Sequence, residues 1–376
     1  MSKLLIDASN IKSGGGFTHL FELLMHADRN KLFFDKVAIV GGIQLDKLKH
    51  INWLEIIQPE HLIKGGFLRE TLWKITKLHS LSSGFTLVFA PGGTFSSNSV
   101  KYVSMSQNML VFQKEERARY GFSFMKLRLD LLEKIQTKSF RNAAGIIYIS
   151  DFARNYISKS IGVINASSVK ISHGISMRFN GSIKVQRDIG SYTEQSPYRI
   201  LYVSIIDVYK HQDRVIEAVK KLKDAGYNVH LDLVGGAYPP ELKKISPLLN
   251  SNSHIVTYHG LQPYDMIEKF YHHADAFVFA SSCENMPNIL IEAMKSGLPL
   301  ASSELAPMKE FLQDAGFYFD PLDTDSIFYS IEQLLLNKEL RMEKAFKGIN
   351  LAGNYNWKKC ADETITFLNK IASQSA

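Results

Sequence analysis

The chain reads as an α/β protein made of two successive halves, each a parallel sheet flanked by helices, facing a cleft. Three observations predict this. The length, 376 residues, exceeds what one ordinary core organises and suits two domains. Short β-rich runs alternate with helical patterns from end to end. The alternation also restarts near Arg199, after a polar stretch without periodicity from Asn180 to Pro197.

In the first half the strand candidates are Lys3–Asp7, Val37–Val40, Thr86–Phe89, Tyr102–Met105 and Gly145–Ser150, with helical stretches between them. In the second half Arg199–Ser204, His230–Val234, Ile255–Tyr258 and Ala276–Ala280 read as strands. Asp213 to Ala225 places Val215, Ala218, Val219 and Leu222 on one helical face, and Gly226 is a fitting stop. Tyr264–His273 reads as a further helix. The last segment is amphipathic through Trp357, Cys360, Ala361, Ile365 and Leu368. The expected division is residues 1–180, a linker at 181–197, residues 198–355, and a terminal helix at 356–376 that closes the second domain or crosses back to the first.

Hydrophobic residues make up 45% and charged residues 22% of the chain, the balance of a folded globular protein. Two cysteines, Cys283 and Cys360, are too few for a disulfide framework or a zinc cluster and point to a reducing compartment. Asp7 interrupts the N-terminus too early for a secretory apolar region, and the apolar runs are far shorter than a membrane span. A cytoplasmic location is therefore expected. The net charge of +7 is uneven: residues 1–180 hold 24 Lys and Arg against 13 Asp and Glu, and the rest hold 20 against 24. A basic first half suggests an anionic partner such as nucleic acid, anionic lipid or a phosphate-bearing acceptor, or simply a solvated surface. Phe67–Leu78 and Phe122–Phe140 mix Lys and Arg with aromatic residues and leucines. Such stretches suit either an anionic membrane surface or ordinary helices with one buried face.

The most informative stretch runs from Ser281 to Pro299. A loop follows the strand ending at Ala280, a helix opens near Pro287, and Gly297 ends it. Glu284 then lies at the carboxyl end of a strand, where open α/β sheets bind ligands, and Glu292 lies about two turns into the helix. A carboxylate can accept from both hydroxyls of a vicinal pair, as on a sugar or ribose. The helix start offers N–H groups to an anion.

This stretch resembles the E-x7-E frame of retaining glycosyltransferases of family 4, which have the GT-B fold of two Rossmann-like domains. Glu284, Pro287, Glu292, Ala293, Met294, Gly297 and Pro299 stand in its register. The resemblance implies that Glu284 lies near the transferred sugar, that Glu292 binds ribose hydroxyls, and that the Asn285 and Met286 amides face sugar or diphosphate. Leu201–Gln212 is similar to the family's V-G-R-L-x-x-x-K pattern, whose Arg and Lys grip the donor diphosphate. Lys210 takes the Lys place, whereas Ile205 stands at the Arg and Ser204 at the Gly. Arg214, His211 or a residue of the first half would have to compensate. Gly235–Gly236 resembles a glycine pair that leaves room near the nucleotide, and Val256–Leu261 a base-contacting turn; turn chemistry alone explains both equally well.

In the first half, Gly14, Gly15 and Gly16 precede a helix expected from Thr18 and resemble the family's glycine-rich loop bordering the cleft opposite the donor. Gln107 and Asn108 stand where family members often carry a histidine; they can bond sugar hydroxyls but do not act as acid or base near neutral pH. His19 and His173 are alternatives, each more often structural.

The expected function is transfer of a sugar from a UDP- or GDP-sugar to a saccharide or lipid-linked acceptor, with retention. Bacterial lipopolysaccharide or O-antigen synthesis at the inner face of the plasma membrane is the setting the resemblance implies. No metal, cofactor or nucleic acid is expected. The rivals are a sugar-nucleotide epimerase or hydrolase on the same fold, and a non-catalytic basic protein binding membrane or nucleic acid.

Overall fold

The structure, a computed structural model, describes residues 2–63, 73–162 and 164–374. They form two compact units. Unit 1 comprises residues 1–112, 122–174 and 355–376; unit 2 comprises residues 113–121 and 175–354. Both are α/β, and each is a Rossmann-like parallel-sheet domain.

Unit 1 contains β1 (Lys3–Asp7), β2 (Lys36–Val40), β3 (Leu54–Ile57), β4 (Leu87–Ala90), β5 (Lys101–Ser106), β6 (Gly145–Tyr148) and β7 (Ser167–Lys170). They pair in the order β3-β2-β1-β4-β5-β6-β7, every pair parallel. Unit 2 contains β8 (Tyr198–Val203), β9 (Val229–Val234), β10 (Val256–Tyr258), β11 (Ala276–Phe279), β12 (Leu300–Ser303) and β13 (Gly316–Phe319). Their order is β10-β9-β8-β11-β12-β13, again all parallel. In each sheet the strand order reverses beside the first strand, between β1 and β4 and between β8 and β11. Such a reversal splays the following loops apart and opens a crevice at the carboxyl ends of the strands.

The central strands are apolar because helices cover both faces. β4, β6 and β11 are buried along their whole length. The strands that the composition does not announce are β3, β7, β12 and β13. β7 (Ser-Ser-Val-Lys) is a half-exposed edge whose polar residues read as loop. β12 (Leu-Ala-Ser-Ser) is fully buried with small side chains that carry little β signal.

Residues 181–197, expected as a linker, fall within unit 2. The side chain of Arg341 is wholly buried there. It donates to Gln186 Oε1 at 2.8 Å, to Arg187 O at 2.5 Å and to Leu334 O and Leu335 O at 2.7 and 2.6 Å. A buried guanidinium needs that many acceptors, and the polar segment supplies part of them. The terminal helix, Trp357–Ser373, belongs to unit 1. Asn369 accepts from Phe33 N at 3.0 Å and donates to Lys31 O at 2.7 Å. Trp357, Cys360, Ala361, Ile365 and Leu368 are all buried. Within the stretch 67–78, residues 67–72 lie outside the described residues, and Trp73 is buried.

Candidate functional site

In unit 1 the loop after β1 leads into a helix at Gly14–His26, four residues earlier than expected, because the glycines take the first turn themselves. Gly14 has φ +68°, a conformation glycine adopts without a Cβ penalty. A Cβ on Gly16 would lie 3.6 Å from Gln107 Oε1, so the glycine loop and the residue after β5 adjoin. Gln107 Nε2 donates to Pro91 O at 3.1 Å and lies 3.4 Å from His19 Nδ1. Asn108 caps its own loop, accepting from Leu110 N at 3.0 Å. His19 and His173 are buried and stacked, ring centroids 4.4 Å apart, beside Trp357. Burial, and then the charge on His173, holds the His19 imidazole well below its ordinary pKa. Both histidines belong to the packed interior of unit 1.

In unit 2 two loops leave the sheet at its reversal: residues 204–211 after β8 and residues 280–287 after β11. The first is pinned to the loop after β9, with Ile206 N donating to Gly236 O at 2.9 Å and Tyr238 N to Ile206 O at 2.8 Å. Gly235 has φ +145°, and a Cβ there would fall 2.1 Å from Ser204 O. That position therefore admits only glycine, because the loop after β9 approaches the loop after β8 closely there. The Cβ position of Gly236 is nearly open, with Leu261 Cδ1 at 3.9 Å the one neighbour.

Lys210 and Glu284 come together across these loops, as an ion pair between Lys210 Nζ and Glu284 Oε1. The lysine is buried, with its ammonium over the rings of Tyr209 and Phe279 at 4.9 and 5.3 Å. Tyr202 Oη donates to Lys210 O at 2.6 Å, and Ser282 N to Tyr209 O at 2.9 Å, which ties loop to loop. The pair thus presents a cation and a carboxylate, 74 residues apart in sequence, at the crevice where α/β sheets bind ligands.

The next helix is Asn288–Lys295, so Glu292 lies about one turn in rather than two. Its carboxyl is buried and accepts from Tyr271 Oη at 3.2 Å. Burial pushes it up to about 8, against smaller lowering by the Tyr271 hydrogen bond and by Arg178. Asn285 and Met286 are buried in the loop, and Met286 O accepts from Asn288 N at 2.9 Å.

Residues 186–348 match the family model described as glycosyl transferases group 1. This group 1 region holds Lys210, Gly235, Gly236, Glu284, Asn285, Met286 and Glu292. The chain is similar to O-antigen chain mannosyltransferase B of Escherichia coli, 31% identical over 110 residues, which are 29% of this chain and 29% of that protein. Two solved structures share the whole fold. Sucrose-phosphate synthase from Thermosynechococcus elongatus has a TM-score of 0.75 at 15% identity over 100% of both chains. Anabaena HepE, in complex with UDP and glucose, has a TM-score of 0.70 at 17% identity over 98% of both. This is the GT-B arrangement of two parallel-sheet domains.

The structure adds residues to the group 1 region that the sequence did not single out. The segment Gln113–Gly121, drawn from within the first half of the sequence, packs as part of unit 2. Glu116 Oε2 accepts from Ser282 Oγ at 2.6 Å and from Arg119 Nε at 2.8 Å. Ser282 Oγ also lies 2.9 Å from His211 Nε2. Tyr120 Oη donates to Asp207 Oδ1 at 2.8 Å and its ring meets Tyr238 edge-on at 5.5 Å. No local pattern in this segment announces the role, because Ser282, which Glu116 engages, and Asp207, which Tyr120 engages, are over 80 residues away in sequence. His211 takes φ +51° and is buried; burial and then Arg119 lower its pKa to about 4, so it brings no cation to the site at neutral pH. Arg214 is exposed and turned to Glu217 at 3.4 Å. Arg119, in turn, is engaged by Glu116.

Proposed function

We propose that the chain is a glycosyltransferase of the family 4, E-x7-E type, moving a sugar from a UDP- or GDP-sugar to a saccharide or lipid-linked acceptor with retention of anomeric configuration. The observation that carries this reading is the Lys210–Glu284 pair at the β8/β11 reversal. In this pair each charge compensates the other. An incoming donor diphosphate offers Lys210 a stronger anionic partner, which releases Glu284 toward the hydroxyls of the transferred sugar. Glu292 accepts from the ribose hydroxyls, and Asn285, Met286, Gly235 and Gly236 shape the backbone around the donor. As the bond from the anomeric carbon to the diphosphate breaks, Lys210 and the following helix start offset the charge developing on the leaving oxygen. That oxygen takes the proton of the acceptor hydroxyl, whose oxygen bonds to the same face of the anomeric carbon. This path asks no protein base of Gln107 or Asn108, and it needs no metal and no cofactor.

Unit 1, with Gly14, Gly15, Gly16, Gln107 and Asn108, is read as the acceptor domain. The similarity to an O-antigen chain mannosyltransferase of Escherichia coli, together with the basic first half, supports bacterial surface-polysaccharide synthesis at the inner face of the plasma membrane. Among the described residues no helix is long and apolar enough to cross a membrane. Calorimetric titration with UDP, GDP and their common sugar conjugates, with and without magnesium, tests the donor half. Metal-independent binding of one nucleotide is expected, and binding of none would sink the assignment. Proton NMR of the product anomer tests retention; an inverted product refutes it. Sugar release at full rate without any acceptor would favour a hydrolase.

A further inference from the structure

The helix Phe124–Asn142 turns the wrong way for an ordinary surface helix. Its buried residues include Gln136 and Ser139 beside Leu129 and Phe140. Ser139 takes part in hydrogen bonds with Ser104 Oγ at 3.0 Å and Tyr102 Oη at 2.6 Å. Its large apolar residues instead face solvent: Phe124 is 78% exposed, Leu127 66%, Leu131 56% and Ile135 39%, and Phe122 just before the helix is fully exposed. At about 100° per residue, Leu127, Leu131, Phe124 and Ile135 fall within an arc of about 80°. Arg128 and Lys134, both exposed, flank that arc on its two sides, and exposed Lys138 lies within it one turn further on. Asp130 is engaged by Lys126 at 2.9 Å, and Glu133 lies about 180° from Phe124. The outward face is therefore an apolar ridge edged by cations with the acids set away from it.

We propose that this face seats unit 1 on an anionic phospholipid surface, with Phe122, Phe124, Leu127 and Leu131 entering the headgroup boundary and Arg128, Lys134 and Lys138 on the lipid phosphates. Charge decides among occupants: a second copy of this face would set like cations against each other, whereas anionic lipid complements all three. The inference rests on the lipid-linked half of the proposed function and is independent of its donor half.

Flotation of the full chain with vesicles tests it. Binding is expected with phosphatidylcholine containing a third phosphatidylglycerol and should be weak with phosphatidylcholine alone. Each cation near the surface contributes about fivefold in affinity, so Arg128→Gln with Lys134→Gln and Lys138→Gln should lower binding on the order of a hundredfold. Phe122→Ser with Phe124→Ser and Leu127→Ser should lower it about tenfold or more. All six side chains are exposed, so both variants should keep the melting temperature and the nucleotide titration of the wild type. As a second reading, Leu131→Cys carrying an environment-sensitive dye should shift to the blue on anionic vesicles; Cys283 and Cys360 are buried and should stay unlabelled. Wild-type protein that ignores anionic vesicles, a dye that does not shift, or a dimer dissolved by the serine variant would each overturn the proposal. Vesicle binding without any nucleotide binding would keep the surface and fail the donor reading.

Discussion

Replacing Glu292 by glutamine should stabilise the protein and weaken its hold on the donor, and the two effects should part with pH. The carboxyl is buried, with its pKa raised from 4.5 to about 8. The native state thus binds this proton more tightly than the unfolded chain does. Its stabilising contribution is complete below about pH 4.5 and is lost as pH rises through 8. The shift corresponds to about 5 kcal/mol between those limits as an order of magnitude. Glutamine keeps an oxygen for the Tyr271 hydroxyl and carries no charge, so it should escape the loss. Melting by calorimetry should show nearly equal midpoints near pH 5 and a gap on the order of 10 °C near pH 9, the variant being higher. In the proposed site the ribose hydroxyls donate to the ionised carboxylate. Donor binding by the wild type should therefore release a proton at pH 7 and weaken about tenfold per pH unit below 8, whereas the variant should bind weakly at every pH. A melting gap that does not open with pH would refute the buried-acid argument. Equal donor affinity in the two proteins would refute the ribose assignment.

Three further outcomes follow from the same geometry. Lys210→Ala should lower turnover by about two to three orders of magnitude, since it removes the cation opposite the leaving diphosphate, and kcat should fall more than KM rises. Ile205→Arg should tighten donor binding by about 1–2 kcal/mol by titration, because Ile205 is 42% exposed and leaves room for a longer side chain at the place where the family carries Arg. Ser282→Ala should cost about 1–3 kcal/mol in chemical denaturation, because it leaves the buried Glu116 carboxylate without one donor, and restoring the hydroxyl as Ser282→Thr should recover part of it.

Much of the fold was legible in the chain because parallel strands buried on both faces write themselves as short apolar runs: β1, β4, β6 and β11 are such runs. The strands that stayed hidden are those whose side chains do not need to be apolar, such as half-exposed β7, or need only be small, such as β12. The Glu284–Glu292 frame was legible for a related reason. A strand, a loop and a helix in succession place Glu284 in the loop after β11 and Glu292 in the next helix, and the resemblance to a family motif is what joined the two acids into one candidate site. Lys210 was legible only through its similarity to a family pattern, since a lone lysine in a loop is ordinarily a solvated charge.

What the sequence by itself determined was the α/β alternation, the restart near Arg199 and the two local motifs, all of which depend on neighbours along the chain. Tertiary structure decided the rest. It paired Lys210 with Glu284, raised Glu292 by burying it, neutralised His211, drew Glu116 and Tyr120 into unit 2 and carried the last helix into unit 1. It also turned the apolar side of Phe124–Asn142 outward, which hydrophobic periodicity cannot reveal, because the same spacing fits a face against the core or a face against solvent. The physical reason is common to all of these: burial, pairing and pKa depend on which atoms are near in space, and those atoms are contributed by segments far apart in the chain.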